Sequence, residues 1–340
     1  MSNNIIYLGV DLHKEFCQIA VLDGDGAITQ RRVPTERKPL RDFLASLDGK
    51  RHLVVEATGN WYFFHQCVSN LVEDFALAHP LKVKAIASAR IKTDKIDAAI
   101  LAHLLKADLI PRCYIPTKRE IDQREILRHR LFLVKGRTQL KCRLRAALLK
   151  NGLRPPMDFI WGKTGRKWLS EAPLPAVFRF QVDAMTEAID EHDRLIEAAE
   201  AIIKRQVEVT RDARTLKEIS GIGDILALTI VSEIGDISRF SCPGKLASYA
   251  GLVPSTYSSG GRTLNGRITK QGSRYLRWAL VEAAIHAWKD DEQLFRIHKR
   301  VAARKGRKTA RIAVARRLAE IIWHKLTRVG RKTLMRQTTR

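Results

Sequence analysis

The chain has 340 residues, 45% of them hydrophobic and 29% charged, enough apolar material for a buried core and too much for a wholly disordered polypeptide. Lysine and arginine number 61 against 36 acidic residues, a formal net charge of +25, and such an excess points to a phosphate-bearing partner bound less tightly as salt is added. No apolar run approaches the roughly 18 residues of a bilayer span, and Cys17, Cys67, Cys113, Cys142 and Cys242 lack CxxC spacing, which argues against a zinc ribbon or a disulfide framework and for a reducing cytoplasm.

The opening MSNNIIYLGVDLHKE has no basic leader followed by a long apolar stretch, so no secretory signal is expected. Three strands follow, IIYLGVD, FCQIAVLD and AITQRRV, the last two joined by the turn DGDG, a hairpin signal. Next come a helix around Leu40 to Leu47, the strand HLVVEA, a helix around Trp61 to Val72, the strand VKAIA and a helix from about Thr93 to Leu105. This order predicts an α/β domain, a mixed sheet covered by helices, over residues 1–117.

Residues 118–208 read as long helices with a Pro/Gly-marked break near Asn151 to Pro156. In the second helix Val182, Met185, Ile189, His192, Ile196, Ala199 and Ile203 keep the three-four spacing of a coiled-coil seam. His192 there reads as a packing residue. The first helix carries eleven basic residues against three acidic ones between Lys118 and Lys150, a positive face that predicts a nucleic-acid track over a merely solvated surface. Residues 209–340 predict a mainly helical domain interrupted by a Gly/Ser-rich stretch. From Lys299 to Arg340 there are fifteen basic residues and one acid, Glu320, with Ile312, Ala315, Leu318 and Ile322 lining one helical face.

Four carboxylates stand at element ends. Asp11 follows the strand IIYLGV, Glu56 follows HLVV, and Asp94 and Asp97 lie three apart on one face of a helix. Each alone reads as a turn residue, a surface acid or a dipole-friendly residue of a first helical turn. Together, in so basic a chain, they predict oxygen ligands for magnesium acting at a phosphodiester.

Two further motifs stand in the carboxy-terminal third. The segment LKEISGIGDILALTIVSEIG has the form of a helix-hairpin-helix, in which Gly221 and Gly223 let backbone amides approach a phosphate; an ordinary glycine break between helices fits equally well. In VPSTYSSGGRTLNGRITKQGSRYLR, Ser258 and Ser259 precede two glycines and then Arg262, Arg267, Lys270, Arg274 and Arg277. A Gly/Ser-rich loop is the plain reading, and the cations beside it favour a serine attacking phosphate.

With these motifs in the order YLGVDLHKE, VVEATGNW, KTDKIDAAILA, ISGIGDILALTIVSEIGDISRF and AGLVPSTYSSGGR to ITKQGSRYLR, the chain resembles the DEDD-type transposases of bacterial insertion sequences of the one-ten and one-one-one-one groups, the bridge-RNA-guided serine recombinases. The resemblance implies an RNase H-like, RuvC-like amino-terminal domain with Asp11, Glu56, Asp94 and Asp97 on magnesium, and a carboxy-terminal transposase domain whose serine forms a phosphoserine link to DNA. By position that serine is Ser259, with Ser258 beside it as the alternative. It also implies a noncoding guide RNA pairing with donor and target DNA, and a homodimer or homotetramer joined through the middle helices. A metal-dependent junction-resolving nuclease using the acids alone is the alternative expectation, and a non-catalytic nucleic-acid scaffold is a third.

Overall fold

The computed structural model describes residues 4–87, 93–157, 160–259 and 262–338, and the chain divides into two compact units, Met1–Ile115 and Pro116–Arg340. In the first unit, β1 (Ile5–Leu12), β2 (Phe16–Leu22) and β3 (Ile28–Pro34) are followed by α1 (Arg37–Ala45), β4 (Lys50–Glu56), α2 (Trp61–Val68), β5 (Asp74–Ala78), α3 (Pro80–Ile86) and α4 (Asp94–Lys106). The sheet order is β3-β2-β1-β4-β5, with β1, β2 and β3 antiparallel and β4 and β5 parallel to β1.

Two-residue alternation assigns each strand residue to a face. Ile6, Leu8, Val10 and Leu12 of β1 pack with Leu40 and Leu44 of α1 and Phe64, Cys67 and Val68 of α2. On the opposite face Val54 and Ala76 meet Leu101, Leu104 and Leu105 of α4, while Ala20 and Leu22 meet Ala98 and Ala102. Gly9 permits that second contact, because a methyl group there would stand 2.0 Å from the Ala98 carbonyl oxygen and 2.4 Å from the Ala102 amide nitrogen. A glycine on β1 and two alanines on α4 thus bring helix backbone directly onto strand backbone.

One predicted strand is corrected. VKAIA lies in α3, opened by Pro80 in the first turn where its missing N–H is harmless, and only Val83 of that helix is buried. The fifth strand is DFALA, earlier in the chain, held by pairing with β4 that runs from His52↔Asp74 to Glu56↔Ala78.

The second unit contains α5 (Lys118–Lys150), α6 (Lys163–Glu171), α7 (Ala176–Val209), α8 (Arg211–Leu216), α9 (Asp224–Ile234), α10 (Pro243–Tyr249), β6 (Pro254–Ser259), β7 (Arg262–Ile268), α11 (Arg274–Ala283) and α12 (Glu292–Thr338). Ion pairs Arg130–Glu200 and Arg137–Asp193, with Arg119 donating to Thr210, set α5 antiparallel to α7. His192 sits on that seam, its Nδ1 2.7 Å from the Ala188 carbonyl oxygen, and its Nε2 occupies the space a Cβ on Gly136 would need. Leu127 of α5 and Ile203 and Val207 of α7 enter the same core as α8 to α12, so the middle helices and the carboxy-terminal segment are packed as one body.

Two other expectations change in this unit. The Gly/Ser-rich stretch is a two-stranded hairpin rather than a loop, with Tyr257↔Leu264, Ser258↔Thr263 and Ser259↔Arg262 as strand partners. Much of the positive face expected on α5 is spent internally: Arg124 donates to the Ser232 carbonyl, Arg128 pairs with Glu233, and Arg130 and Arg137 pair with α7.

Candidate active site

β1 and β4 run parallel in the register Val10↔Val55, so the next residues, Asp11 and Glu56, end adjacent strands side by side. Asp11 is two residues beyond Gly9 and Glu56 two beyond Val54, which puts both carboxylates on the face covered by α4. Thr93 starts that helix, its hydroxyl accepting from the Ile96 amide at 3.3 Å, and Asp94 and Asp97 fall in the first turn. Because α4 lies along β1 with Ala98 above Gly9, its first turn projects toward Asp11. Strand register and helix contact bring Asp94 to Asp11 and Asp97 within charge range of it, while Glu56 ends the neighbouring strand on the same face.

His13 joins them. Its Nε2 is 3.2 Å from Asp11 Oδ2 and 3.5 Å from Asp94 Oδ2, and ligand atoms of Asp11, His13 and Asp94 all lie within 4.8 Å of one another. Burial pushes the Asp11 carboxyl above its usual range; His13 pulls it down, and the charges of Asp94 and Asp97 push it up again. Carboxylates crowded this closely on a half-buried strand end favour a cation among them, and their oxygens match a hard divalent ion. Sequence reading missed His13, although Asp-x-His at a strand end places both side chains on one side.

Beside Asp94 a groove of about 710 Å³ is lined by Phe16, Gln18, Gln30, Arg31, Arg32 and Lys95. Arg32 stacks over the Phe16 ring at 3.6 Å, and Gln30 donates to the Lys95 carbonyl at 3.1 Å. Three cations therefore border the acidic cluster, a distribution suited to a phosphate lying across it.

The hairpin of β6 and β7 presents the sequence-predicted serine in the second unit. Ser258 and Ser259 end β6 and Arg262 opens β7, whereas Gly260 and Gly261 lie outside the described residues. Ser258 is exposed.

A transposase family profile of the DEDD type matches residues 8–151, and the profile described as the transposase IS116/IS110/IS902 family matches residues 213–298. A probable family 20 transposase of Pseudomonas aeruginosa is 30% identical over 344 residues, covering 96% of this chain and 98% of the relative. The chain belongs to the IS116/IS110/IS902 family of transposases. The transposase for insertion sequence element IS1111A of Coxiella burnetii is 28% identical, covering 96% of this chain and 90% of the relative. That for IS1328 of Yersinia enterocolitica is 27% identical, covering 94% and 96%. Membership of the DEDD group also suggests that a divalent metal serves the acidic cluster of this transposase.

The remaining predicted residues of the transposase divide by what they touch. Arg267, Lys270 and Arg274 are exposed, and Arg274 donates to the Tyr275 hydroxyl at 2.8 Å. Arg277 is turned inward, its guanidinium donating to the carbonyls of Ala250 and Lys270 at 3.1 Å each, and burial lowers its pKa. Gly221, with φ +81°, faces the backbone of α11's end, where a Cβ would meet the Ala283 carbonyl at 2.7 Å. Gly223 has open space and caps α9, whose first residue, Asp224, pairs with Lys217 at 2.5 Å. Among the described residues no helix is long and apolar enough to cross a membrane.

Proposed function

We propose that this transposase is a site-specific DNA recombinase of an insertion sequence, cutting and rejoining strands through Ser259 as nucleophile, assisted by magnesium held by Asp11, Glu56, Asp94 and Asp97. The observation that carries the reading is the approach of Asp94 to Asp11 and His13, with Asp97 acting on Asp11 from the same helix turn and Glu56 ending the strand beside Asp11, in a chain of the DEDD group. The order β3-β2-β1-β4-β5, antiparallel then parallel, supports an RNase H-like, RuvC-like domain over residues 1–117. Residues 118–208 form a coiled coil that joins subunits as a dimer or tetramer, and residues 209–340 form the transposase domain.

Held by Asp11, Glu56, Asp94 and Asp97, magnesium would supply positive charge to offset the negative charge that develops during phosphoryl transfer. The Ser259 oxygen attacks phosphorus, the bond from phosphorus to the leaving sugar oxygen breaks, and the serine proton ends on that oxygen. One phosphoester replaces another, so attack by a second strand's hydroxyl restores the DNA without an external energy source. Arg262, Arg267, Lys270 and Arg274 neutralise the phosphate, Arg277 fixes the base of the hairpin, and Gly221 and Gly223 form the turn of the helix-hairpin-helix element. His13 holds Asp11 and Asp94 in place. A noncoding bridge RNA paired with donor and target DNA supplies sequence choice. The work belongs in the cytoplasm, where the element's DNA is.

The test is a magnesium-dependent covalent protein–DNA adduct on denaturing gels. It is expected to disappear in Ser259→Ala, and an adduct that persists when Ser258 and Ser259 are both alanine ends the serine mechanism. The alternative is a junction-resolving nuclease working with the acids alone. It leaves free 5′-phosphate ends and no adduct.

A further inference from the structure

Within the second unit a groove of about 790 Å³ runs between the β6–β7 hairpin and the middle of α12. Its floor is aliphatic, formed by Leu252, Ile268, Val301 and Ile312. Its rim is cationic: Arg267 and Lys270 on one side, Arg300, Arg304, Lys305 and Lys308 on the other. Arg316 adds a seventh positive charge and is partnered, 3.7 Å from Glu320, whereas the other six have no acidic partner among the described residues. No carboxylate lines the groove among the described residues.

Two features show why the groove has this shape. Gly306, at φ +81° and ψ 163°, breaks the helical backbone in the middle of the cationic stretch, so α12 bends where the groove lies. Gly266 lets β7 close against β6, since a Cβ there would stand 2.4 Å from Ser255 Oγ. The side chains of Ala310, Val314, Ala315 and Leu318 fasten the far face of α12 into the core. The cations on the near face are left in solvent, and Arg300, Arg304, Lys305 and Lys308 are all exposed.

We infer that this groove is a binding site for an unpaired nucleic-acid strand, with phosphates on the rim and the faces of bases against the floor. Charge complementarity selects a polyanion. The aliphatic floor selects among polyanions, because a duplex keeps its base faces stacked inside and would leave that floor wet, whereas unpaired bases bury it. Arg267 and Lys270 are shared with the proposed phosphate-neutralising set, whereas the α12 cations Arg300, Arg304, Lys305 and Lys308 and the floor are not, and Asp11→Asn removes catalysis and leaves strand binding here intact.

The experiment is fluorescence anisotropy with labelled 20-nucleotide oligo-dT, oligo-rU and a duplex of the same length, against the parent chain, the double variant Arg304→Ala/Lys308→Ala and the floor variant Val301→Asp. Two lost phosphate contacts lower the slope of log K against log salt by about 1.4 for single strands, equivalent to about 25-fold weaker binding at 0.1 M salt. Both variants are expected to weaken single-strand binding while duplex binding stays within about twofold. A larger loss on oligo-rU assigns the groove to RNA, and a larger loss on oligo-dT assigns it to displaced DNA. Equal losses on single strand and duplex, or no loss on either, overturn the inference. The altered residues are surface cations and one half-buried floor residue, so circular dichroism matching the parent accompanies each measurement. Val301→Asp that misfolds is replaced by Val301→Thr, with a smaller loss confined to single strands.

Discussion

Gly9→Ala tests whether the close approach of α4 to β1 sets the geometry of the acidic cluster. The new methyl would lie 2.0 Å from the Ala98 carbonyl oxygen, whereas ordinary contact begins at 3.4 Å, so α4 must retreat by about 1.4 Å. Both obstructing groups are helix backbone, which cannot swing aside as a side-chain tip can. Overpacking of this kind costs about 1–3 kcal/mol of stability. The functional loss is expected to be larger, because Asp94 and Asp97 travel with α4 while Asp11 and Glu56 stay with the sheet, and a misplacement of about 1 Å at a reacting centre costs roughly 100-fold in rate. Magnesium titration of adduct formation, run beside thermal unfolding of the same preparation, separates the two effects. Gly59→Ala is the control, since a methyl there meets nothing within 4 Å. A folded Gly9→Ala protein whose rate and magnesium half-saturation both stay within about threefold of the parent, under about 0.7 kcal/mol, would refute the reasoning.

Asp11→Asn is expected to raise the melting temperature of the metal-free protein while abolishing magnesium-dependent activity. Burial and the charges of Asp94 and Asp97 raise the folded carboxyl above its unfolded value, so the folded state holds the proton longer and metal-free stability declines as pH rises through that window. The advantage of the variant should therefore grow with pH across it and level off above; a variant less stable than the parent at neutral pH, read by scanning calorimetry, contradicts this. Glu233→Ala should cost about 1–3 kcal/mol in urea unfolding, because buried Glu233 accepts from Arg128 at 3.1 Å and from Ser273 at 2.9 Å, and its loss leaves Ser273 without that acceptor and Arg128 with only Glu125 at 3.5 Å. In native protein, alkylation followed by mass mapping should modify exposed Cys142 and Cys242 and spare Cys17, buried and pushed up to about 12 by desolvation and then by the Asp11 charge.

The amino-terminal unit was largely legible because its signals are local. Strand alternation, the DGDG turn and the Thr93 cap each act within a few residues, and together they place all four acids at element ends. The fifth strand was not legible for the opposite reason. DFALA carries two alanines and little intrinsic strand preference, and becomes a strand through β4, whereas VKAIA has the composition of a strand but follows a proline that opens a helix. His13 was overlooked because its importance depends on Asp94, which lies 81 positions later and reaches it only through the packing of α4 on β1.

Net charge identified the class of partner but not the surface that meets it. The eleven basic residues of α5 form a dense run in a helix-by-helix reading, yet Arg124, Arg128, Arg130 and Arg137 spend their donors on carbonyls and carboxylates of α7 and α9. A guanidinium held by a half-buried acid is a poor ligand for phosphate, since it must first give up that partner in a medium where leaving the acid unpaired is costly. On α12 the situation reverses: from Lys299 to Arg340 there is a single acid, Glu320, and it is taken by Arg316 and Arg317. Arg300, Arg304, Lys305 and Lys308 therefore remain available beside the hairpin that carries the serine. The ratio of acids to bases within each helix is visible in sequence, but which bases are consumed is decided by acids on other helices. The +25 charge becomes a located binding surface only after those internal pairs are subtracted.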